Sequence, residues 1–296
     1  MPVASHVRAD VRRRRATALI SALLLLAPLA RPALAAPAAT VDTAAQEIAE
    51  IATATGTTLH VRTFRPAGKG PLPLAIVNHG SPVNASQRQA MEIPVFPPVS
   101  NWLLGRGYAV ALPLRRGYGQ SGGPWFENYG SCTNPDYYRA GLASADDIAA
   151  VMGFLRARSD IERDRTLLVG WSAGGWGSIA TISRSPVGVR AVLNFAGGRG
   201  GNPVAGNCAP ERLIAAAGRY GATARIPSAW LYAANDRFFD AALSRKMFDA
   251  YVGAGGRAEY VALAEFGSDG HRVFPAVDGR ALWQPPVEKF LAAVRP

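Results

Sequence analysis

The sequence predicts an α/β domain with a mostly parallel, doubly wound sheet, helices on both faces and short lid insertions. Six short runs of the chain are almost continuously apolar, which is typical of strands that are buried on both faces of a parallel sheet. These runs occupy residues 72–77, 108–114, 166–169, 189–195, 229–233 and 259–263. Helix-like segments separate them, and alternation of strand and helix indicates a doubly wound sheet.

The remaining segments fit around this sheet. Residues 41–66 alternate polar and apolar side chains, so we expect strands with one wet face at an antiparallel edge. The clearest helix pattern covers residues 145–156, with acidic residues in its first turn and an arginine in its last. Two loop-rich insertions, residues 117–142 and 197–226, both follow strands. Loops after strands build the functional site of such a sheet.

The first 36 residues have the pattern of an export signal peptide rather than of a folded segment. Arginines at positions 12–15 precede an apolar run over residues 16–30, and Ala33-Leu34-Ala35 forms a small-residue cleavage motif. An uncleaved membrane anchor is the alternative, but the run is shorter than the ~20 residues of a span and Pro28 interrupts it. Paired arginines leave both general and twin-arginine export open. We therefore predict a periplasmic or secreted protein without stable membrane insertion after cleavage.

The rest of the chain, residues 37–296, is predicted to form one domain. The sequence is 49% apolar, and a stretch of this length suits one large core better than two. The formal net charge of +11 falls to +6 when the six arginines and one aspartate of residues 1–35 are removed. The other basic residues are scattered, which argues against a nucleic-acid partner. An oxidising compartment favours a disulfide between Cys132 and Cys208, with two buried thiols as the alternative.

A candidate nucleophile lies where an apolar run meets a small-residue segment. Gly170-Trp171-Ser172-Ala173-Gly174 follows the run 166–169, and strand, sharp turn and helix are the context of a nucleophile elbow. Its glycines let strand and helix pass close together. A second match, Gly119-Gln120-Ser121-Gly122-Gly123, is followed by Pro124-Trp125 without a helix pattern, and we interpret it as a loop.

Ser172 needs a base, because a serine hydroxyl is a poor nucleophile until a neighbour accepts its proton. The chain has four histidines. His6 belongs to the predicted signal peptide, His60 to the early alternating strand, and His79 directly follows a strand. His271 remains, in the loop after the last strand pattern, and we predict it to be the base.

The carboxylate that orients His271 should follow the preceding strand, since both side chains then lie at the same sheet edge. Asp236 has that position, after the apolar run 229–233. Asp240 is the competitor, and we expect it to cap or begin the next helix. Asp269 is so close in sequence to His271 that we expect it to shape the turn.

The order Ser172, Asp236, His271 is the nucleophile, acid, base order of the α/β-hydrolases, and the chain resembles that superfamily. Four segments look like the dienelactone hydrolase-like group and its prolyl oligopeptidase-like relatives. They are Asn78-His79-Gly80-Ser81, Arg115-Arg116-Gly117-Tyr118-Gly119-Gln120-Ser121-Gly122-Gly123, Gly170-Trp171-Ser172-Ala173-Gly174-Gly175 and Trp230-Leu231-Tyr232-Ala233-Ala234-Asn235-Asp236. The resemblance covers roughly residues 70–275 and implies an α/β-hydrolase domain over 37–296. Dienelactone hydrolases carry a cysteine nucleophile, whereas this chain has serine, so dienelactone itself is in doubt as the substrate.

The resemblance also implies an oxyanion hole. One donor would be the backbone N–H of Ala173 and the other that of Ser81, with Gly80 as the alternative. His79 would support this loop through its ring rather than transfer a proton.

The expected chemistry is covalent and needs no metal or cofactor. Ser172 would attack an acyl carbonyl, His271 would take its proton, and Asp236 would hold the imidazole until water releases the acyl-enzyme. The sequence has no H-E-x-x-H motif, no paired cysteine clusters and no Gly-Lys-Ser/Thr phosphate loop.

Aromatic residues lie beside these positions in the sequence. Trp125 and Phe126 in the first insertion and Trp171 next to the nucleophile are candidate pocket walls for a bulky or planar acyl ester, with lid packing as the alternative. If Cys132 and Cys208 pair, their disulfide would join the two insertions over the site.

We therefore predict an exported serine hydrolase that cleaves carboxylic esters of small molecules. A serine peptidase of prolyl oligopeptidase type is the alternative. Peptidases of that type usually carry a large extra N-terminal domain, which we do not expect here, and we identify no subsite for a peptide amine or proline ring. A non-catalytic binding module is a third hypothesis, although such proteins typically lose a member of the triad. The sequence leaves the oligomeric state open.

Overall fold

Ten strands occur in the part of the chain that this computed structural model describes, residues 39–68 and 70–296. They are β1 (Ala45–Ala52), β2 (Thr58–Arg65), β3 (Leu72–Asn78), β4 (Ala109–Leu114), β5 (Ile161–Trp171), β6 (Val189–Phe195), β7 (Gly201–Asn202), β8 (Gly206–Asn207), β9 (Ser228–Ala233) and β10 (Ala258–Leu263). The predicted signal peptide lies outside the described residues.

Eight of the strands form one sheet, in the order β1-β2-β4-β3-β5-β6-β9-β10. β1 pairs antiparallel with β2, and β2 pairs antiparallel with β4. All neighbours from β4 to β10 run parallel. The prediction of a mostly parallel sheet with an antiparallel edge is therefore confirmed. β7 and β8 pair with each other in a separate short hairpin.

Seven α-helices occur in the described ranges. They are α1 (Ala85–Gln89), α2 (Pro97–Leu104), α3 (Tyr137–Arg156), α4 (Ala173–Ile182), α5 (Pro210–Gly221), α6 (Ala241–Gly253) and α7 (Arg280–Val294). The apolar sides of α3, α4, α5 and α6 pack on one face of the sheet, and those of α2 and α7 pack on the other. None of the helices described here is long and apolar enough to span a membrane.

Burial on both faces explains why the strands are almost continuously apolar. Leu74 and Ile76 of β3 belong to the core beneath α3 to α6, whereas Ala75 and Val77 between them belong to the core beneath α2 and α7. Successive side chains of a strand point to opposite faces. All four side chains are fully buried, so neither face of β3 tolerates a polar residue without a partner.

Helix α3 begins earlier than the sequence pattern indicated. The predicted helix covered residues 145–156, but the observed helix starts at Tyr137 because the Asp136 carboxylate accepts a hydrogen bond from the backbone N–H of Arg139 at 2.9 Å. The first loop-rich insertion therefore ends at residue 136 rather than 142. The second insertion contains helix α5 and the β7–β8 hairpin.

Candidate active site

Ser172 lies on the sharp turn between β5 and α4. Its φ of 56° is in the left-handed region, which costs a residue other than glycine about 1–3 kcal/mol and persists only when its surroundings fix it. Three backbone hydrogen bonds fix this turn. The N–H of Ser172 donates to the carbonyl of Phe195 at 2.9 Å, and the carbonyl of Ser172 accepts from Trp176 at 3.0 Å and Gly198 at 3.2 Å.

The glycines that flank this turn are required by close backbone approach. A Cβ atom at Gly170 would meet the carbonyl oxygen of Gly174, and a Cβ atom at Gly174 would meet the carbonyl oxygens of Asn78 and His79. These neighbours are backbone atoms, which cannot rotate away as a side chain can. Strand β5, helix α4 and the end of β3 therefore meet at the turn because the two positions carry no side chain.

Substitution of Gly174 by alanine is expected to lower the free energy of unfolding by about 1–3 kcal/mol, because the added methyl group has no space. The matched control is Gly153→Ala in the interior of α3, where a Cβ atom would meet nothing within 4 Å. That change should raise the free energy of unfolding by about 0.5–1 kcal/mol. Urea unfolding of both variants checks the contrast, and equal stability of the two would contradict the crowding.

His271 and Asp236 lie next to each other at the carboxyl end of the sheet. Asp236 follows β9, His271 follows β10, and the imidazole Nδ1 is 3.0 Å from Asp236 Oδ2. Both side chains are buried. The second carboxylate oxygen accepts the backbone N–H groups of Phe238 at 2.8 Å and Phe239 at 3.0 Å. With Nδ1–H donating to the carboxylate, Nε2 is left to accept a proton.

The two other candidate aspartates have structural contacts. The carboxylate of Asp240 caps α6 by accepting the N–H groups of Ala242 and Leu243, both at 2.9 Å. The carboxylate of Asp269 accepts the N–H of His271 at 3.0 Å and that of Arg237 at 3.2 Å. Asp240 thus begins a helix and Asp269 shapes the turn before the imidazole.

Aromatic rings surround the imidazole of His271. The ring of Phe238 stacks on it with a centroid distance of 4.2 Å, and the ring of Trp171 lies 5.5 Å away. The indole N–H of Trp171 also donates to the backbone carbonyl of His271 at 2.8 Å. The residue that precedes Ser172 is thereby tied directly to the loop that carries the imidazole.

Ser172 and His271 line the same cavity, which has a volume of about 520 Å³. The structure brings further predicted residues to its wall: Ser81 and Ala173 of the predicted oxyanion hole, and Trp125 and Trp171 of the predicted pocket. Tyr129 and the backbone of the Gly198–Gly201 loop complete one side.

Phe126 does not line this cavity, so its assignment to the pocket is wrong. Phe126 is 39% exposed, and its ring centroid lies 4.4 Å from the guanidinium of Arg116. Tyr137 and Tyr138, which are close to it in sequence, are also absent from the cavity wall because they begin α3. Tyr137 is buried in the core, and Tyr138 stacks on Tyr220.

His79 supports the loop that carries Ser81. Its buried ring donates from Nδ1 to the carbonyl of Gly80 at 2.6 Å and accepts at Nε2 from the backbone N–H of Arg115 at 3.2 Å. Burial, reinforced by the Arg115 guanidinium, lowers the pKa of His79 well below its ordinary value. A neutral ring with both nitrogens bonded is suited to holding the loop rather than to proton transfer.

Glu127, Arg115 and Arg199 form a buried charge cluster at the cavity wall, which Arg199 lines. The carboxylate of Glu127 accepts hydrogen bonds from the guanidiniums of Arg115 and Arg199 and from the hydroxyl of Tyr118 at 2.7 Å. The side chains of Glu127, Arg115 and Arg199 are at most 2% exposed. Burial alone would raise the pKa of Glu127, but the two guanidiniums hold it below its ordinary value. No spacing in the sequence indicates this cluster, since Arg199 is 72 residues from Glu127.

Cys132 and Cys208 form a disulfide in the structure. It joins the loop before α3 to the segment that follows the β7–β8 hairpin. The hydroxyl of Tyr137 donates to the carbonyl of Cys208, and the N–H of Cys208 donates to the carbonyl of Gly200 at 3.3 Å. The cross-link therefore holds the first insertion against the loop that lines the cavity.

Comparisons with known proteins agree with this fold. Residues 95–194, about a third of the chain, match the Prolyl oligopeptidase family, and no curated protein matches. A solved esterase from Pyrococcus furiosus is 16% identical with a TM-score of 0.60, and the match covers 86% of this chain and 94% of the esterase. A protein from Klebsiella pneumoniae assigned as a dienelactone hydrolase is 18% identical with a TM-score of 0.56, covering 83% of this chain and 98% of that protein.

A larger enzyme shares the same fold. Dipeptidyl peptidase 4 from Porphyromonas gingivalis is 17% identical with a TM-score of 0.61, and the match covers 84% of this chain but 35% of the peptidase. Together, the sheet order and these structural matches show that the chain has the α/β-hydrolase fold. Within it, residues 95–194 are similar to the Prolyl oligopeptidase family.

Proposed function

We propose that this protein is a serine hydrolase that cleaves carboxylic esters, with Ser172 as nucleophile, His271 as base and Asp236 as the carboxylate that orients it. One observation carries the proposal. Ser172, on a left-handed turn, lines the same cavity as an imidazole whose Nδ1 is bonded to a buried carboxylate. A strained turn presents a hydroxyl for attack, and a carboxylate-bound imidazole is able to accept its proton.

In the first half of the proposed reaction, Nε2 of His271 takes the Ser172 proton while the serine oxygen attacks the ester carbonyl. The carbonyl oxygen becomes an oxyanion that accepts the backbone N–H groups of Ala173 and Ser81. The imidazolium is stabilised by Asp236 and gives its proton to the alcohol oxygen as the C–O bond breaks. The alcohol leaves, and the acyl group stays on Ser172.

In the second half, water replaces the alcohol. His271 takes a proton from the water as it attacks the acyl carbonyl, and then returns that proton to Ser172 as the carboxylic acid leaves. Proton transfer of this kind contributes about 10²–10⁴-fold to the rate, and loss of one oxyanion donor typically costs about 10²–10³-fold.

A small-molecule ester with a bulky or planar acyl group is the proposed substrate class. Trp125 and Tyr129 of the first insertion line the cavity, together with Met91 from the loop after α1. Such side chains favour an apolar, flat group over a charged one.

A peptidase is the second candidate function. It is favoured by the match of residues 95–194 to the Prolyl oligopeptidase family and by the fold shared with dipeptidyl peptidase 4. Ester and amide substrates with the same acyl group separate the two candidates. An amide turnover rate below about one hundredth of the ester turnover rate would support the esterase.

The test of the serine mechanism is intact mass after incubation with an active-site fluorophosphonate. We expect one adduct on the wild-type protein and none on Ser172→Ala, with loss of ester turnover in that variant. Ser121→Ala is the matched control, because Ser121 belongs to the second glycine-flanked motif but is buried with its hydroxyl bonded to the carbonyl of Leu114 at 2.6 Å. Ser121→Ala should keep the adduct.

Absence of an adduct on folded wild-type protein would contradict the serine mechanism and favour a non-catalytic binding module.

The same mass measurement tests the proposed export to the periplasm or beyond. Protein recovered from outside the cytoplasm should lack about the first 36 residues, whose Ala33-Leu34-Ala35 motif supports cleavage. Recovery of the uncleaved chain would contradict the export proposal.

A further inference from the structure

The position of the leaving alcohol is set by the proposed reaction, on which this inference rests. The alcohol oxygen must come within about 2.6–3.2 Å of the nitrogen that protonates it. That nitrogen is Nε2 of His271, since Nδ1 is bonded to Asp236. The first carbon atoms of the alcohol therefore lie beside the groups that surround this imidazole, while the acyl group is directed elsewhere by the oxyanion donors.

The groups around the imidazole are aromatic. Phe238 stacks on it at 4.2 Å, with 27° between the ring planes, and Trp171 lies at 5.5 Å. Both residues are partly exposed and line the cavity, so each presents ring surface that the protein itself does not cover. Pro275 lines the same cavity.

Charged residues near His271 offer little to a polar alcohol. Asp269 lines the cavity, but its Oδ1 atom accepts two backbone N–H groups. Arg272 also lines the cavity and is exposed to solvent, so water already satisfies its charge. A hydroxylated or charged alcohol would exchange its hydration for two aromatic rings, which is unfavourable.

The aromatic wall near His271 is separate from the one formed by the first insertion. Trp125 packs with Met91 and Tyr118 in a small cluster of its own, whereas Trp171 packs with Phe96 and Phe274. The cavity therefore has two groups of aromatic side chains in its wall, and of these the pair Phe238 and Trp171 lies against the imidazole.

We infer that Phe238 and Trp171 form a binding site for an apolar, planar alcohol, so that the preferred substrates are esters of arylmethyl or similar alcohols. Phe238 is the residue that determines this preference, because its ring covers one face of the imidazole that protonates the alcohol. This site would hold the alcohol, whereas the proposed acyl group would lie on the side of the cavity lined by Trp125 and Tyr129.

The test compares two acetate esters whose alcohols have similar acidity, benzyl acetate and 2-methoxyethyl acetate. For the wild-type protein we expect kcat/KM to be about tenfold higher for the benzyl ester, the gain expected from burying part of a phenyl ring. Phe238→Ala should reduce the preference to about twofold or less, and Phe238→Leu should give an intermediate value. Trp125→Leu, in the other wall, should keep the tenfold preference.

Each contrary outcome has a distinct meaning. Equal kcat/KM for the two esters, with turnover lost in Ser172→Ala, would overturn the alcohol site and leave the serine mechanism standing. Turnover that survives in Ser172→Ala would overturn the proposed function itself. If Phe238→Leu lowers kcat/KM by the same factor for both esters and also slows fluorophosphonate labelling, Phe238 only positions His271. That outcome would also overturn the alcohol site.

Discussion

Replacement of Asp236 by asparagine is expected to lower kcat by about 10⁴-fold, as it does in other sites of this kind, while the fold persists. The asparagine oxygen can still accept the N–H groups of Phe238 and Phe239, which bond to Asp236 Oδ1 in the native protein. Its amide would then face Nδ1 of His271 as a donor. The imidazole would carry its proton on Nε2, where it cannot accept the proton of Ser172.

The matched control for this change is Asp240→Asn. Asp240 lies four residues further along the chain and caps α6, and asparagine caps helices about as well as aspartate. We expect kcat and the urea midpoint of this variant to stay near the wild-type values. Ester hydrolysis rates of the two variants, with circular dichroism to verify folding, check the prediction. A similar loss of kcat in both variants would contradict the assignment of the orienting carboxylate to Asp236.

The second large effect concerns stability. Glu127→Gln is expected to lower the free energy of unfolding by about 3–5 kcal/mol, because it leaves the buried guanidiniums of Arg115 and Arg199 without a counter-charge. Asp249→Asn is the control. It removes an ion pair with Arg245 in which both side chains are more than half exposed, so it should change stability by at most about 1 kcal/mol.

The effect of Glu127→Gln should also depend on pH. In the folded protein, Arg115 and Arg199 outweigh burial and hold the pKa of Glu127 below its ordinary value of 4.5. The carboxylate therefore stabilises the fold above about pH 4.5, and this contribution is lost as the pH falls below that value. Urea unfolding at neutral and acidic pH measures it. If the difference in the free energy of unfolding between wild type and Glu127→Gln stays the same at acidic pH, the role of the charge is contradicted.

The centre of the sheet could be predicted from the sequence because β3, β4, β6 and β9 are buried on both faces, which leaves a local signature in residues such as Leu74 to Val77. The positions of Ser172, Asp236 and His271 followed from the same signature, since each lies in the segment after a strand. Their side-chain roles stay predictions that the experiments above test. What the structure adds is that the three lie at one end of the sheet, with two of them lining one cavity.

The start of α3 could have been predicted from its own periodicity. Tyr137, Ala140, Gly141 and Ser144 are buried, and they recur at the spacing of one helix face. Adjacent tyrosines and a glycine favoured a loop instead, because this pattern contains little aliphatic surface. The sequence pattern therefore placed Tyr137 and Tyr138 in the loop-rich insertion rather than in the helix.

The buried charges and the position of Phe126 could not be predicted from local sequence. Glu127 lies in an irregular loop, where a charged residue is ordinarily exposed to water. Its burial depends on Arg199, which is 72 residues away in the sequence, with β5 and β6 between them. Phe126 points away from the cavity because its neighbour Glu127 points inward to this cluster. The sequence does not indicate which of these two adjacent residues is buried.

The disulfide between Cys132 and Cys208 has a consequence for how the protein could be re-engineered. The two loops that it joins both reach the cavity, but neither contains Ser172, Asp236 or His271. In the proposed reaction, the acyl side of the cavity, with Trp125 and Tyr129, would therefore be carried by segments other than those that carry Ser172, Asp236 and His271. A graft of one loop from a relative would leave a single unpaired thiol and a wall that no longer fits its partner. The two loops form one exchangeable unit and have to be transplanted as a pair.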